Sequence, residues 1–385
     1  MEIIHLVLGK ANPNETNGLS KVVYELATHQ TFAGKKVSVW GFSSNLSKDE
    51  VYRPFKLQTF KFCANSFRLD SKFKAAMQSK KGEVVVHIHG SWVPIFYSAI
   101  LLLKKLNIPT ILTSYGGYND EALKGSGWWK RIYFNLFENQ LLKYSTTIQC
   151  ISNAELLGLE KLGYNEKAIS LHYGYYIKEF PVAKKKHETF TFCYHGKMEI
   201  YNKGLDLLLN AFERVHQQFK DVELLMIGSG TDFENLLQLT VEKGLVKEIS
   251  FSEHSSEMEK MELIGKSHVF VQPSRIETFP LEIFEAASVS LPIIASKTTN
   301  FGGVIQRNRA GWAIENNNEN SLYEAMLHSV TMTSEHLTTR GQNARLMLEK
   351  EYNWETILTR YDAMYENAFQ EKSGFQQVGN IQSFT

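Results

Sequence analysis

Hydrophobic positions form short continuous runs that alternate with longer amphipathic stretches. In the first half of the chain the runs IIHLVLG, KVSVWGF and VVVHIHG are separated by stretches such as GLSKVVYELATHQTFAG and SAILLLKKLN. This alternation is typical of parallel strands joined by crossover helices, and continuous apolar runs suit strands that are covered on both faces. The pattern predicts an α/β fold.

The same alternation starts afresh at TFTFCYHGK, residues 189–197, after a linker rich in lysine. A chain of 385 residues is also longer than one hydrophobic core usually grows. We therefore predict a Rossmann-like domain over residues 1–180, a second over 181–355, and a C-terminal helix with a polar tail over 356–385. In open α/β sheets ligands bind at the carboxyl ends of the strands, so two such sheets facing each other predict a cleft.

Composition narrows the function classes. The formal net charge of +1 gives no global field for a nucleic-acid partner. The three cysteines never form a Cys-x-x-Cys pair, which indicates a reducing compartment. The N-terminus lacks the basic start of a signal peptide, and no apolar run approaches the roughly 20 residues needed to span a bilayer. These features predict a cytoplasmic protein whose membrane contact, if any, is peripheral.

Two loops that follow strands carry anion-binding signals. Gly18 stands at the start of a helix after the first strand, where unpaired amides favour a phosphate. This loop lacks the glycine pattern of a dinucleotide site and the lysine of a P-loop. In the second half, Lys197 and Lys203 lie between a strand and the helix led by Gly204. Two cations there could neutralise a diphosphate leaving group.

The stretch PSRIETFPLEIFEAAS, residues 273–288, places Glu277 and Glu285 on either side of a proline turn, with seven residues between them. Pro280 suits the first turn of a helix, so amides of its neighbours would face a ligand as anion donors. Those neighbours are Phe279, Leu281 and Glu282. Glu285, deeper in the helix, could accept hydrogen bonds from a ribose diol, and Glu277 from a sugar at the mouth.

Through the spacing of Glu277 and Glu285, this stretch resembles the retaining glycosyltransferases of family 4, which have the GT-B architecture of two Rossmann-like domains. The resemblance continues through HGKMEIYNKGLDLLLNAF, NIPTILTSYGGY and the closing YNWETILTRYDAMYENAF. It implies that the last helix crosses back to the first domain. It also implies that Glu285 holds the donor ribose and that Glu277 lies near the reacting carbon. The amide of Leu281 would serve the sugar or diphosphate, which Lys197 and Lys203 would hold.

The resemblance also implies a histidine near the reacting sugar, where this chain has the sequence Tyr115-Gly116-Gly117-Tyr118. Tyr115 is the expected stand-in, and His89 is a competing candidate. Together with His89, residues Gly116 and Tyr118 are expected on the acceptor side. Tyrosine titrates far higher than histidine, with a reference pKa of about 10.

The implied reaction moves a hexosyl group from a nucleoside diphosphate sugar, expected to be a UDP-sugar, to a glycan or lipid-linked saccharide. It forms an α-linkage, as in surface polysaccharide biosynthesis such as that of O-antigen. No Asp-x-Asp occurs in the sequence, so no metal or other cofactor is expected.

A cluster of aromatic and basic residues at 128–131 suits a lipid surface, although a partly buried amphipathic helix would explain it equally well. Its members are Trp128, Trp129, Lys130 and Arg131. Two other function classes stay open: a nucleotide-sugar epimerase or phosphorylase on a related scaffold, and a non-catalytic sugar-nucleotide-binding protein.

Overall fold

A computed structural model shows the chain as two compact units. It describes residues 1–13, 18–47, 50–62, 67–118, 127–177, 187–253, 256–277, 280–299, 301–315 and 318–373. The first unit combines Met1–Gly174 with Trp354–Thr385, and the second is Tyr175–Asn353. The chain therefore changes units at Gly174 and at Asn353, where the sequence placed the changes at 180 and 355.

The first unit contains a seven-stranded parallel sheet in the order β3-β2-β1-β4-β5-β6-β7. Every residue of the central strands β4 and β5 is buried, which explains their uninterrupted apolar character. The strands are β1 (Glu2–Leu8), β2 (Val37–Ser43), β3 (Lys56–Lys61), β4 (Val84–His89), β5 (Thr110–Thr113), β6 (Thr147–Cys150) and β7 (Ala168–Ser170).

Two helix ends of the first unit have caps that the sequence provides. Asp70 accepts a hydrogen bond from the Lys72 amide at the start of α2, and Asn107 ends α3 in the left-handed conformation with φ 54°. The helices are α1 (Gly18–Phe32), α2 (Ser71–Gln78), α3 (Pro94–Leu106), α4 (Trp128–Tyr133), a π-helix (Phe134–Glu138), α5 (Asn139–Tyr144), α6 (Asn153–Lys161) and a 3₁₀ turn (Asn165–Lys167).

The second unit contains a six-stranded parallel sheet in the order β10-β9-β8-β11-β12-β13. The strands are β8 (Phe190–His195), β9 (Val222–Ile227), β10 (Ile249–Ser252), β11 (Val269–Gln272), β12 (Ile293–Ser296) and β13 (Gly311–Ile314). Its α-helices are α7 (Ile200–Lys203), α8 (Leu205–Gln218), α9 (Phe233–Glu242), α10 (Glu257–Lys266), α11 (Leu281–Ser288), α12 (Gly302–Arg307), α13 (Glu319–Thr331) and α14 (Ser334–Glu351), with a 3₁₀ turn at Lys297–Thr299. Two parallel sheets of Rossmann type confirm the predicted fold class.

The C-terminal helix α15 (Trp354–Ser373) belongs to the first unit. Tyr361 and Tyr365 on this helix are fully buried, and Asp362 forms an ion pair with Lys35 at 2.7 Å. At its first residue, the Trp354 ring packs so closely on Gly174 that a Cβ added at Gly174 would meet the ring at 2.4 Å. A helix that continues from the second unit thus completes the first, as the resemblance implied.

Among the residues that the structure describes, no helix has the length and apolar character needed to cross a membrane.

Candidate active site

In the second unit, the segments after β8 and β11 lie against each other. Gly204 follows α7 with φ 67°, and a Cβ at this position would lie 2.4 Å from the Pro273 carbonyl oxygen. The backbone N–H groups of Arg275 and Ile276 donate to the Asn202 carbonyl at 2.9 and 3.1 Å. Glycine is needed here because a left-handed backbone coincides with a close backbone approach.

An ion pair strengthens this contact. The Arg275 guanidinium donates two parallel hydrogen bonds to the Asp206 carboxylate, at 2.6 and 2.7 Å. Such a bidentate pair fixes orientation as well as distance. It therefore holds the segment that carries Glu277 against the first turn of α8.

Lys203 and Glu277 form a salt bridge at that junction. The two side chains are only 11% and 14% exposed. Burial lowers the pKa of Lys203, but the attraction of Glu277 and Glu282 outweighs it and leaves the pKa raised. Lys203 is the last residue of a four-residue helix rather than part of an open loop, which corrects the sequence interpretation.

Glu282 places a second carboxylate beside this pair. Burial and the neighbouring Glu277 raise its pKa, although Lys203 lowers it. The sequence offered only the amide of Glu282 as an anion donor, whereas its side chain also contributes to the charge of the site. One lysine therefore faces two carboxyl groups.

Glu285 is held by two partners that the sequence analysis did not identify. Its carboxylate lies 2.6 Å from the Lys260 Nζ and 2.9 Å from the His195 Nδ1. Burial raises the pKa of Glu285, but His195 and Lys260 outweigh that effect, so its pKa is lowered. Lys260 could have been found because it lies on the buried face of α10, where a lysine breaks the apolar pattern.

The remaining predicted residues of the second unit lie at the surface or outside the described residues. Lys197 is 76% exposed, and its Nζ lies 4.0 Å from Glu199. Leu281, the first residue of α11, is 45% exposed. Pro280 precedes this helix as its cap, and Phe279 lies outside the described residues.

In the first unit, the loops after β4 and β5 interlock. The Ser91 hydroxyl donates to the Ser114 carbonyl at 3.0 Å, and the Trp92 indole donates to the Gly117 carbonyl at 2.9 Å. Trp92 and Tyr115 have positive φ values of 62° and 58°. Bulky residues rarely adopt this conformation, and strain of this kind clusters at functional sites.

A buried carboxylate supports the second of these loops. Glu155 accepts hydrogen bonds from the Ser114 hydroxyl, the Gly116 amide and the Ile151 amide. Burial raises its pKa. In the sequence, Glu155 could be recognised from the Ser-x-x-Glu capping pattern that begins at Ser152, whose hydroxyl caps α6. Gly116 therefore uses its amide for Glu155, although it was expected to face the acceptor.

Tyr118 is not on an open surface, contrary to the expectation that it lies on the acceptor side. It is fully buried, and its hydroxyl donates to the Glu138 carboxylate at 2.6 Å. Burial raises the pKa of both groups. The Tyr118 hydroxyl therefore points into the interior, because Glu138 on the π-helix is itself buried.

Tyr115 and His89, the two candidates for the family's histidine position, contact each other. The Tyr115 hydroxyl lies 2.7 Å from the His89 Nδ1, and the His89 Nε2 lies 2.8 Å from the Nδ1 of His5. His89 is 1% exposed, whereas Tyr115 is half-buried. Burial raises the pKa of Tyr115 and lowers that of His89 well below its ordinary value.

With His87, these two histidines bring three ring nitrogens within 4.8 Å of one another, a distance at which a metal could bind. Every ring nitrogen of His5, His87 and His89 already makes a hydrogen bond, however. The arrangement is satisfied by protein groups alone, and metal independence stays a prediction.

Gly18 is the first residue of α1 and is exposed, with no atom within 4 Å of a Cβ added there. Residues 14–17, which complete the predicted loop, lie outside the described residues.

The aromatic and basic residues at 128–131 form α4 and part of the surface around it. Trp128 and Trp129 are 60% and 68% exposed and stack with ring centroids 3.6 Å apart. Beside them lies a cavity of about 520 Å³, lined by Trp92, Trp129, Lys130, Ile132, Tyr133 and Phe137. Leu141 and Leu142, further along, are fully buried in the core.

The chain matches two family models that together cover most of its length. The model described as Glycosyl transferases group 1 matches residues 177–347, and the model Glycosyltransferase Family 4 matches residues 16–174. Glycogen synthase from Mycobacterium tuberculosis is 24% identical over 73% of this chain and 68% of that protein. An uncharacterized glycosyltransferase from Methanocaldococcus jannaschii is 26% identical over 81% of this chain and 82% of that protein.

Solved structures share the fold. The Anabaena protein HepE in complex with UDP has a TM-score of 0.72 at 13% identity, over 95% of this chain and 100% of that one. The lipopolysaccharide outer core galactosyltransferase WaaB has a TM-score of 0.70 at 15% identity, over the same shares. These structures show the GT-B fold, and the family models with the curated relatives show a hexosyl-transferring enzyme. The chain belongs to the family-4, group 1 glycosyltransferases.

Proposed function

We propose that the enzyme transfers a hexosyl group from a UDP-sugar to a hydroxyl of a glycan or lipid-linked saccharide, with retention and formation of an α-linkage. The observation that carries the proposal is the pairing of Lys203 with Glu277, in the unit that also holds Glu285 between Lys260 and His195. A buried cation suits a diphosphate, and an ionised carboxylate suits the two hydroxyls of a ribose.

In the proposed reaction the acceptor oxygen bonds to the anomeric carbon of the donor sugar. The bond from that carbon to the diphosphate oxygen breaks, and its electron pair stays on the diphosphate. The acceptor's proton passes to a diphosphate oxygen on the same face of the sugar. Lys203 and Lys197 stabilise the diphosphate charge, Glu277 stabilises the electron-poor carbon, and Glu285 binds the ribose.

A role in surface polysaccharide assembly is part of the proposal. It is supported by the likeness to the lipopolysaccharide galactosyltransferase WaaB. The UDP bound in the Anabaena structure supports uracil as the donor base.

The test is incubation of the enzyme with radiolabelled UDP-, GDP- and ADP-sugars, with and without a membrane lipid extract, in the presence and absence of EDTA. Transfer of label from a UDP-sugar to the extract, unchanged by EDTA, supports the proposal. An isomerised donor without transfer would support an epimerase. Saturable binding without turnover would support a binding protein, and transfer from another nucleotide would correct the base. Analysis of the product's anomeric configuration decides retention.

We also propose that α4 and the π-helix after it contact an anionic lipid surface, which places the enzyme at the cytoplasmic membrane face. Trp128, Trp129 and Leu136 expose apolar surface next to the cationic Lys130 and Arg131. Interfacial aromatics with neighbouring cations match the two requirements of an anionic bilayer surface, apolar insertion and charge attraction.

Sedimentation with vesicles containing phosphatidylglycerol measures this contact. We expect the double variant Trp128→Ser, Trp129→Ser to lose binding, and Lys130→Ala with Arg131→Ala to weaken it most at low salt. Val246→Ser, at an apolar position of the second unit that is 60% exposed, is the matched control. Equal binding of the tryptophan variant and the control would refute the contact.

A further inference from the structure

A continuous series of hydrogen bonds runs through the interior of the first unit and ends at Tyr115. It joins groups on four strands, on the loops after β5 and β7, and on helices α1 and α15. Its members are Leu171, Gln149, Thr113, His87, Tyr365, Gln30, His5, His89 and Tyr115. Because the series starts at a backbone carbonyl, which can only accept, the direction of each following bond can be worked out.

The first steps fix the tautomer of His87. The Gln149 Nε2 donates to the Leu171 carbonyl at 2.7 Å, so the Gln149 Oε1 faces Thr113. That oxygen can only accept, and the Thr113 hydroxyl therefore donates to it at 2.8 Å. The Thr113 oxygen then accepts from the His87 Nε2–H at 2.7 Å. His87 carries its proton on Nε2.

The next steps orient Gln30. Burial, with His5 nearby, lowers the pKa of His87 well below its ordinary value, so the ring is neutral and its Nδ1 accepts. The Tyr365 hydroxyl donates to this Nδ1 at 2.8 Å. Since the one hydroxyl proton is used there, the Tyr365 oxygen accepts from Gln30, whose Nε2 lies 3.3 Å away. The Gln30 Oε1 must then face the other side.

The last steps reach Tyr115. The Gln30 Oε1 accepts from the His5 Nε2–H at 2.7 Å. Burial lowers the pKa of His5 to about 4, so its Nδ1 carries no proton at neutral pH and accepts from the His89 Nε2–H at 2.8 Å. The Nδ1 of His89 is then an acceptor, and the Tyr115 hydroxyl donates to it at 2.7 Å.

We propose that this series makes the Tyr115 hydroxyl an acceptor only toward a ligand, and that Gln30 is the positioning residue on which this direction depends. Tyr115 is half-buried at the carboxyl end of β5, the edge of an open α/β sheet where ligands bind. Its proton is committed to His89, and the same phenol oxygen also accepts a hydrogen bond from Tyr173. A ligand that reaches Tyr115 is therefore recognised through a hydroxyl or amino group that donates to the remaining lone pair of the phenol oxygen. That this group is a sugar hydroxyl rests on the proposed glycosyl transfer.

The direct test is the tautomeric state of the three histidines, measured by long-range ¹H–¹⁵N correlation spectroscopy of the full-length enzyme at neutral pH. We expect His5, His87 and His89 all to be neutral and protonated on Nε2. An Nδ1–H tautomer or a charged ring at any of the three would overturn the proposal. So would a shift of their nitrogens with one equivalent of Zn²⁺, because the cluster would then be a metal site.

The functional test removes the amide of Gln30. In Gln30→Met we expect His5 and His89 to show mixed tautomers. The KM of the substrate that contacts Tyr115 should rise roughly threefold to tenfold, the worth of one neutral hydrogen bond, with little change in kcat. In a Tyr115→Phe background the same substitution should have no further effect on that KM.

Thr28→Val, which removes a buried hydroxyl from the same helix, is the control and should keep the wild-type tautomers and KM. An equal rise of KM in Thr28→Val, or in Gln30→Met on the Tyr115→Phe background, would contradict a positioning role. If Gln30→Met does not fold, the wild-type tautomers decide alone. An enzyme without turnover on any nucleotide sugar would refute the proposed function, while the tautomers would still test this inference.

Discussion

The candidate site of the second unit is built from ion pairs, whereas that of the first unit is built from neutral hydrogen bonds. In the second unit Lys203 pairs with Glu277, and Lys260 pairs with Glu285. In the first unit Tyr115 is connected to neutral histidines, tyrosines and amides. Charged side chains suit a charged ligand such as a diphosphate, whereas a neutral network fixes the direction of single hydrogen bonds.

The difference has a physical cause in burial. The histidines of the first unit are fully enclosed, and the cost of burying charge keeps them neutral. The carboxylates of the second unit are nearly as enclosed, but each of Glu277 and Glu285 has a cation in contact. A partner of opposite charge therefore decides whether an enclosed group stays ionised.

The largest effect is expected from Lys203→Ala. It removes the cation beside Glu277 and Glu282, so kcat should fall about 100-fold or more, as when one electrostatic group of an active site is lost. Breaking a buried ion pair should also lower the free energy of unfolding by about 3 kcal/mol. Steady-state kinetics and urea unfolding measure the two effects.

Lys197→Ala is the comparison for the effect on stability. The Lys197 side chain is 76% exposed, so its removal should leave the free energy of unfolding within about 0.5 kcal/mol of wild type. Wild-type turnover of the Lys203 variant would remove the diphosphate assignment.

Glu285→Ala should act on donor binding. Loss of hydrogen bonds to an ionised group is worth about 1.5–3 kcal/mol, so we expect the donor KM to rise roughly tenfold to 150-fold. Glu285→Gln, which keeps an acceptor oxygen without the charge, should show a smaller rise. A donor KM unchanged in both variants would place the ribose elsewhere.

Lys260→Met should have a weaker effect of the same kind. It leaves His195 beside the Glu285 carboxylate but removes the ammonium group, so the pKa of Glu285 should rise. Because protonated Glu285 would bind the ribose less well, the donor KM should increase by about tenfold and should become more sensitive to acid. A pH profile of kcat/KM that matches wild type would show that Lys260 serves packing alone.

The smallest effect is expected from Glu138→Gln in the first unit, and it concerns stability. Burial raises the pKa of Glu138 above its ordinary value of 4.5. Its contribution to stability is therefore fully present below that value and is lost as pH rises through the folded-state pKa. Glutamine keeps an acceptor for Tyr118 but does not titrate. The Tm of the variant should therefore increase relative to the Tm of wild type as pH rises.

Thermal unfolding between pH 4 and pH 8 measures the gain, with the exposed Glu160→Gln as the baseline. A constant difference in Tm across this range would mean that Glu138 does not titrate differently in the folded protein.

Much of the charged site could be read from the sequence because its residues lie in the short segments and helices that come after strands. Glu277 and Glu285 lie in one short stretch, and Lys203 precedes a glycine-led helix. The structure brings Lys203 and Glu277 into contact. Lys260 and His195 were missed, since the pattern of α10 shows which face is buried but not which carboxylate it meets. The roles of all these residues stay predictions.

The neutral site could be read far less well. Tyr118 was expected on the acceptor side, but its buried partner Glu138 holds it in the core. Gln30 and Tyr365 gave no local signal, because the hydrogen bond between them joins residues 335 positions apart. A polar residue on a helix face has the same pattern whether its partner is water or a distant side chain.

The sequence by itself determined the two α/β units, the order of strands and helices in each, and the family, since hydrophobic periodicity and short motifs are local properties. Tertiary structure decided which polar groups are enclosed together. Enclosure sets the free-energy cost of charge, and that cost made one site ionic and the other a directed series of neutral hydrogen bonds.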